Sequence, residues 1–228
     1  MTSLRLLLLA ALAFGWTACT SHRPIRDGAR AGPFFEPTNI TSSDALPAHV
    51  RRVLLLPLAA DGATISEENL DRLGGVILTE LNRTGRFETV TLSRDHLARL
   101  TGTRQLPSTA QMPSGFLDRL FNIYNEYAAD AILLVDITSY TPYPPLTLGI
   151  RAKLAHIRDS DILWAADLLF SAADPSVANS ARRYALTLGT SPHLDHSILQ
   201  NPTRFAGYAA SATFQTLPPR AVAASQKP

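Results

Sequence analysis

Two short apolar runs decide most of what this chain can become: "RRVLLLPL" (Arg51 to Leu58) and "AILLVDI" (Ala131 to Ile137). Neither shows the polar alternation of a half-exposed strand, and both fall far short of the about 20 apolar residues that span a bilayer. Such runs suit strands buried on both faces, the usual state of a parallel sheet covered by helices. Helical patterns lie between them. In "TISEENLDRLGGVILTELNRTG", Leu70, Leu73, Ile77 and Leu81 fall at helical spacing, Thr64 and Glu67 have capping-box register, and Gly85 ends the helix. Gly74 and Gly75 cost that helix about 1 kcal/mol each against alanine, a cost that close approach to the sheet would explain. "RFETVTL" (Arg86 to Leu92) reads as a strand, "SRDHLARL" as a short helix capped by Ser93, and "SGFLDRLFNIYNEYAA" as an amphipathic helix.

The pattern then changes. "LTLGIRAKLAHI" and "DILWAADLLFSA" flank Asp159 and Ser160, a hairpin signature. Asp174 followed by Pro175, and Asn201 followed by Pro202, each predict a helix start. The expected fold is α/β: a mixed sheet with a parallel β-α-β front half closed by an antiparallel hairpin, and helices packed on it. Residues 49–217 make the single domain, a length that suits one core. Before them, residues 19–48 carry Pro24, Pro33, Pro37, Pro47, Gly28 and Gly32 without periodicity, and read as a flexible linker. Phe34 and Phe35 within it either dock or are there by chance. Residues 218–228 read as a disordered tail.

Cys19 is the sole cysteine, so no disulfide within the chain is available. It follows Arg5, the apolar stretch "LLLLAALAF" and the small residues of "WTAC". Residues 1–18 therefore read as an export signal, and the segment resembles bacterial lipoprotein signals. That resemblance implies a lipid on Cys19, cleavage before it, and anchoring of the mature protein to a membrane, the outer one facing the periplasm. Trp16 departs from the pattern, which places an aliphatic residue there. An ordinary signal cut after Ala18 remains the alternative, and Trp16 suits it no better. The net charge of +2 has no basic stripe behind it, which argues against a nucleic-acid partner.

"RRVLLLPL", a helix and then "TGRFETVTLSRDHL", followed by "ADAILLVDITSY" and a hairpin strand "DILWAAD", resemble a group of envelope proteins. The group holds the curli secretion subunit, lipoprotein activators of penicillin-binding proteins, the amino-terminal domain of TolB and small outer-membrane lipoproteins. The resemblance runs from about Arg51 to Phe170, implies a fold and a compartment, and carries no catalytic residue. A curli-type pore would need further long amphipathic strands. The one hairpin of that length, Leu146 to Ala172, is needed for the sheet itself.

"SYTPYPPLTLGI" joins tyrosines to prolines, which fix φ and remove donors. Tyr140, Pro142, Tyr143, Pro144 and Pro145 are the candidate partner-binding residues; the alternative is a rigid connection with both tyrosines packed on the core. His193, Asp195 and His196 share one loop but lack further ligands at metal-site spacing, so no metal is assigned. Asp136 and Asp167 sit in apolar strands and read as polar strand positions rather than an acid–base pair. Arg182 and Arg183 read as a solvated helix face. No nucleophile, phosphate-loop or metalloprotease motif occurs. The expectation is a non-catalytic envelope lipoprotein that binds protein partners, with no cofactor. The alternative is an enzyme, or a small-molecule or glycan binder, acting on an envelope substrate.

Overall fold

The two apolar runs lie side by side in the sheet. In the computed structural model, which describes residues 27–110, 128–157 and 160–221, strand β2 (Arg52–Leu55) pairs in parallel with β5 (Ala131–Thr141), Val53 opposite Ala131. On its other side β2 pairs in parallel with β4 (Glu88–Thr91). The long strands β6 (Thr147–His156) and β7 (Ile162–Ser171) continue the sheet antiparallel beyond β5. Two short strands complete it: β1 (Ile40–Ser42), antiparallel to β7, and β3 (Ala59–Ala60), parallel to β5. The order across the sheet is β1-β7-β6-β5-β2-β4. This is the expected mixed sheet, parallel in front and antiparallel behind.

Side chains alternate between two layers. Leu133, Val135 and Ile137 of β5 join Ile150, Ala152, Leu154, Trp164, Leu168 and Phe170 in the larger core. That core is covered by α2 (Glu67–Arg83), α4 (Pro175–Thr187) and α5 (Pro202–Phe214). Ile132 and Leu134 face the other way, into a smaller core with Leu54, Leu56, Leu92 and Leu97 of α3 (Arg94–Thr101). A 3-10 helix (Asp195–Gln200) links α4 to α5. No helix of the described residues is long and apolar enough to cross a membrane. Both β6 and β7 are interior to the sheet, each with a strand on either side.

Most helix starts are as the residues predict. Ser93 accepts from the His96 N–H at 3.2 Å, Asp174 from Ser176, and Asn201 from Arg204. For α2 the cap is Ser66, which accepts from the Asn69 N–H at 3.3 Å, and not Thr64. The glycines of α2 also differ from expectation. A Cβ on Gly75 would meet nothing within 4 Å, and one on Gly74 would meet only Leu58, at 3.9 Å. No close approach demands either. Gly149 is the position where one does: β5 shifts register between Ile137 and Ser139, and a Cβ at 149 would collide with Thr138 Oγ1 and stand 2.9 Å from Ser139 N.

The expected linker is a correction. Residues 27–48 are packed on the domain, beginning with the short helix α1 (Gly28–Ala31) capped by Asp27. The Phe35 ring lies 4.9 Å from that of Phe170, and its N–H donates to Ser180 Oγ at 2.8 Å. The Arg183 guanidinium sits over the Phe34 ring at 4.7 Å. Strand β1 covers the free edge of β7, and Leu46 is wholly buried. The start of the expected disordered tail is ordered too: Leu46 N–H donates to Pro219 O at 2.8 Å, and Ala221 N–H to Leu46 O at 2.9 Å. An edge strand left bare exposes a row of unpaired backbone groups, and this segment closes one. Residues 1–26, the helix read over 114–129 as far as Tyr127, Asp159 of the hairpin signature and residues 222–228 lie outside the described residues.

Candidate functional site

The proline-rich segment is a hairpin tip. Pro142 to Leu146 join β5 to β6, and the register closes on Thr141 opposite Thr147. Buried Leu146 pins one end of the loop, and its carbonyl accepts from the Ala172 N–H at 2.8 Å. Pro142, Pro144 and Pro145 fix the backbone between these anchors, and the Pro144–Pro145 bond is cis. The two tyrosines part company. Tyr140 is half-buried against the larger core, and burial pushes its hydroxyl pKa up. Tyr143 stands at the tip, 75% exposed, more than any other large hydrophobic residue described. A rigid loop presenting one aromatic ring to solvent binds a partner with little ordering cost.

A second constellation lies on the sheet face away from α2 and α5. Strand register aligns Asp136, Arg151 and Asp167 in one row across β5, β6 and β7. Arg151 Nε donates to Asp167 at 3.0 Å, and its Nη1 to Asp61 at 2.6 Å. Asp136 is 0% exposed. Ser108 closes over it, with N–H bonds of 3.0 Å to both carboxylate oxygens and a hydroxyl bond of 2.5 Å. Lys153 donates in turn to the Ser108 carbonyl. Burial raises the Asp136 pKa, against the lowering effect of the Ser108 bonds. A recess of about 240 Å³ lined by Arg151, Lys153, Asp167 and Thr109 adjoins the row. That is below the roughly 300 Å³ at which ligand pockets begin. Asp136 and Asp167 do share a face, with a cation between them. Yet Asp136 and Ser108 are sealed, and neither can touch a substrate as arranged. The cluster clamps the loop before Ser108 onto the sheet.

His193, Asp195 and His196 do not converge. Asp195 is turned inward and accepts from Arg182 Nε at 3.0 Å, while His196 Nε2 lies 4.0 Å from its other oxygen. Arg182 corrects the reading of a solvated face: its side chain is only 13% exposed and also bonds Asp27 at 2.7 Å. The Ala29 N–H and then Arg182 hold the Asp27 carboxyl below its ordinary pKa, against desolvation. Three distant segments are tied at that one guanidinium. No group of three or more His, Cys, Asp or Glu able to hold a metal occurs among the described residues. Cys19 lies outside them.

Ser108, Asp61, Arg151 and Lys153 were not singled out from the sequence. The one available signal was the placement of Arg151 opposite both Asp136 and Asp167, and it becomes readable only once the register is known.

No protein-family model and no curated protein matches this chain. Solved structures do share features of its fold. The PelC dodecamer from Paraburkholderia phytofirmans is 11% identical over 58% of this chain and 79% of that one, with a TM-score of 0.39. Lipoprotein GNA1162 from Neisseria meningitidis is 14% identical over 53% and 79%, with a TM-score of 0.35. The LpoB C-terminal domain from Escherichia coli is 14% identical over 54% and 83%, with a TM-score of 0.34.

Proposed function

We propose that this protein is a lipid-anchored envelope lipoprotein, facing the periplasm from the outer membrane, that acts without catalysis by binding another envelope protein. The observation that carries the binding site is Tyr143, exposed at the tip of a loop that three prolines and buried Leu146 hold in place. The anchor rests on Cys19 and the signal-like segment before it. Tyr143, Pro142, Pro144 and Pro145 form the contact surface, and Tyr140 supports it from the core side. An exposed aromatic on a fixed backbone is the kind of side chain that carries 2 kcal/mol or more at an interface, on the order seen in alanine scans.

The test is a photo-crosslinking amino acid placed in cells at position 143 and, as a control, at exposed Leu188. A discrete adduct formed from 143 and absent from 188 supports the reading. Identical patterns from both positions, or none from 143, would sink it. With the crosslinking residue moved to exposed Thr141, Tyr143→Ala should abolish the adduct with melting unchanged, whereas Tyr140→Ala lowers the melting temperature.

A further inference from the structure

The carboxyl ends of β2 and β4 lie side by side, Leu55 opposite Thr91 in parallel register. The chain leaving them departs to opposite faces of the sheet. From β2 it reaches α2, whose Leu70, Leu73 and Ile77 belong to the larger core. From β4 it reaches α3, whose Leu97 belongs to the smaller one. Where neighbouring connections part in this way, an open α/β sheet leaves a crevice outside its carboxyl edge, and ligands bind there. Here the crevice is about 420 Å³, within the size range of small-molecule sites.

Its walls have a distinct chemistry. Leu55, Leu58, Leu70 and Leu78 supply apolar surface, and the Gly74–Gly75 face of α2 keeps the space open. Two adjacent glycines in a helix interior are costly, and no packing contact requires them. Room in the crevice is what their missing side chains provide. At the α3 end stands Arg94, whose side chain is 6% exposed. Its Nε donates to Asp71 at 2.6 Å and its Nη1 to the Arg104 carbonyl at 3.3 Å. The Nη2 is buried with no hydrogen-bond partner. A guanidinium is always charged and its unmatched donor is a standing cost, so an acceptor in the crevice is favoured once the side chain turns its Nη2, closed to solvent as it stands, toward it. The amino end of α3 adds partial positive charge at the same place. Of the acids nearby, Asp71 is paired with the Arg94 Nε at 2.6 Å and Asp95 with Arg104 at 2.5 Å, which leaves the Arg94 Nη2 as the unmatched donor.

We infer that the crevice between α2 and the amino end of α3 binds an apolar monocarboxylate, its head on Arg94 and its tail along Gly74, Gly75 and Leu78. The inference uses no residue of the β5–β6 hairpin. It is tested by titration calorimetry of the full mature chain with decanoate, and with decanol as the uncharged counterpart. Decanoate should bind, and decanol at least tenfold more weakly. Gly75→Leu fills the crevice from an open position and should weaken decanoate tenfold or more without lowering the melting temperature. Gly75→Ala, which asks almost nothing of the fold, should give a smaller loss in the same direction. Absent decanoate binding, equal affinity for decanol, or full affinity in both glycine variants would each overturn the assignment.

Discussion

Arg182 shows how one side chain can hold a fold together across the sequence. It joins Asp195, thirteen residues on, to Asp27, 155 residues back. Asp195 is almost fully buried, and one of its oxygens already lacks a hydrogen-bond partner. Arg182→Ala would leave that carboxylate uncompensated, and we expect a loss of about 3–5 kcal/mol in urea unfolding. Adding Asp195→Asn should recover part of it; a double variant no better than the single would mean that Arg182 acts through packing. Asp136 makes a separate prediction about pH. Burial raises its folded pKa above the unfolded value, so the native state binds the proton more tightly. Stability from this group is greatest at low pH and falls as pH rises through the raised value. Asp27 has the opposite sign, since its lowered pKa gives stability that acid removes. Both forms of the protein carry Asp27, so the difference between wild type and Asp136→Asn isolates the buried group. That difference should shift toward wild type as pH falls from 7 to about 4. A shift the other way would show that the Ser108 bonds outweigh burial.

Among the elements, the segment before β2 behaves least like its composition. Proline, glycine and the absence of periodicity read locally as a linker, yet Leu46, Ile40 and Phe35 pack against the larger core. Burial of a single leucine is worth about 1.5–3 kcal/mol. Losing this set together should lower the melting temperature by roughly 10 °C or more for a domain of this size. We therefore expect the chain shortened to Val50–Leu217 to melt well below the full mature chain in calorimetry. Equal melting would mean that β1 and Leu46 rest on the domain without stabilising it. The β5–β6 hairpin shows the reverse relation. Its prolines announced a stiff connection, and a stiff connection is present, but it turns between adjacent strands instead of crossing the sheet. That geometry sends Tyr143 outward and keeps Tyr140 against the core.

At the scale of the whole molecule, an open mixed sheet has one edge sealed by the N-terminal segment and carries a crevice where its connections diverge. The proposed anchor precedes this body: Cys19 is eight residues before Asp27, the first residue described. We expect Cys19→Ala to abolish incorporation of labelled fatty acid and to leave an unprocessed or released form. Label still entering the variant would remove the lipid from this account, while the domain and its crevice would stand.

The apolar runs, helix periods and caps are local properties, and they determined the mixed sheet from the residues alone, with β2, β4 to β7 and the helices α2 to α5, but not β1, β3 or α1. Ser93, Asp174 and Asn201 cap where they stand because a cap satisfies N–H groups two or three residues away. The pairing of Ser108 with Asp136, the Arg182 junction and the docking of residues 27–48 join groups far apart in the chain, and no local pattern encodes them. They were settled by tertiary structure, since a buried carboxylate needs a donor and a bare strand edge needs a cover, whichever segment supplies it. The Gly74–Gly75 crevice belongs to both levels. The glycines were visible as a cost, but only the divergence of α2 and α3 from adjacent strands shows what that cost leaves open.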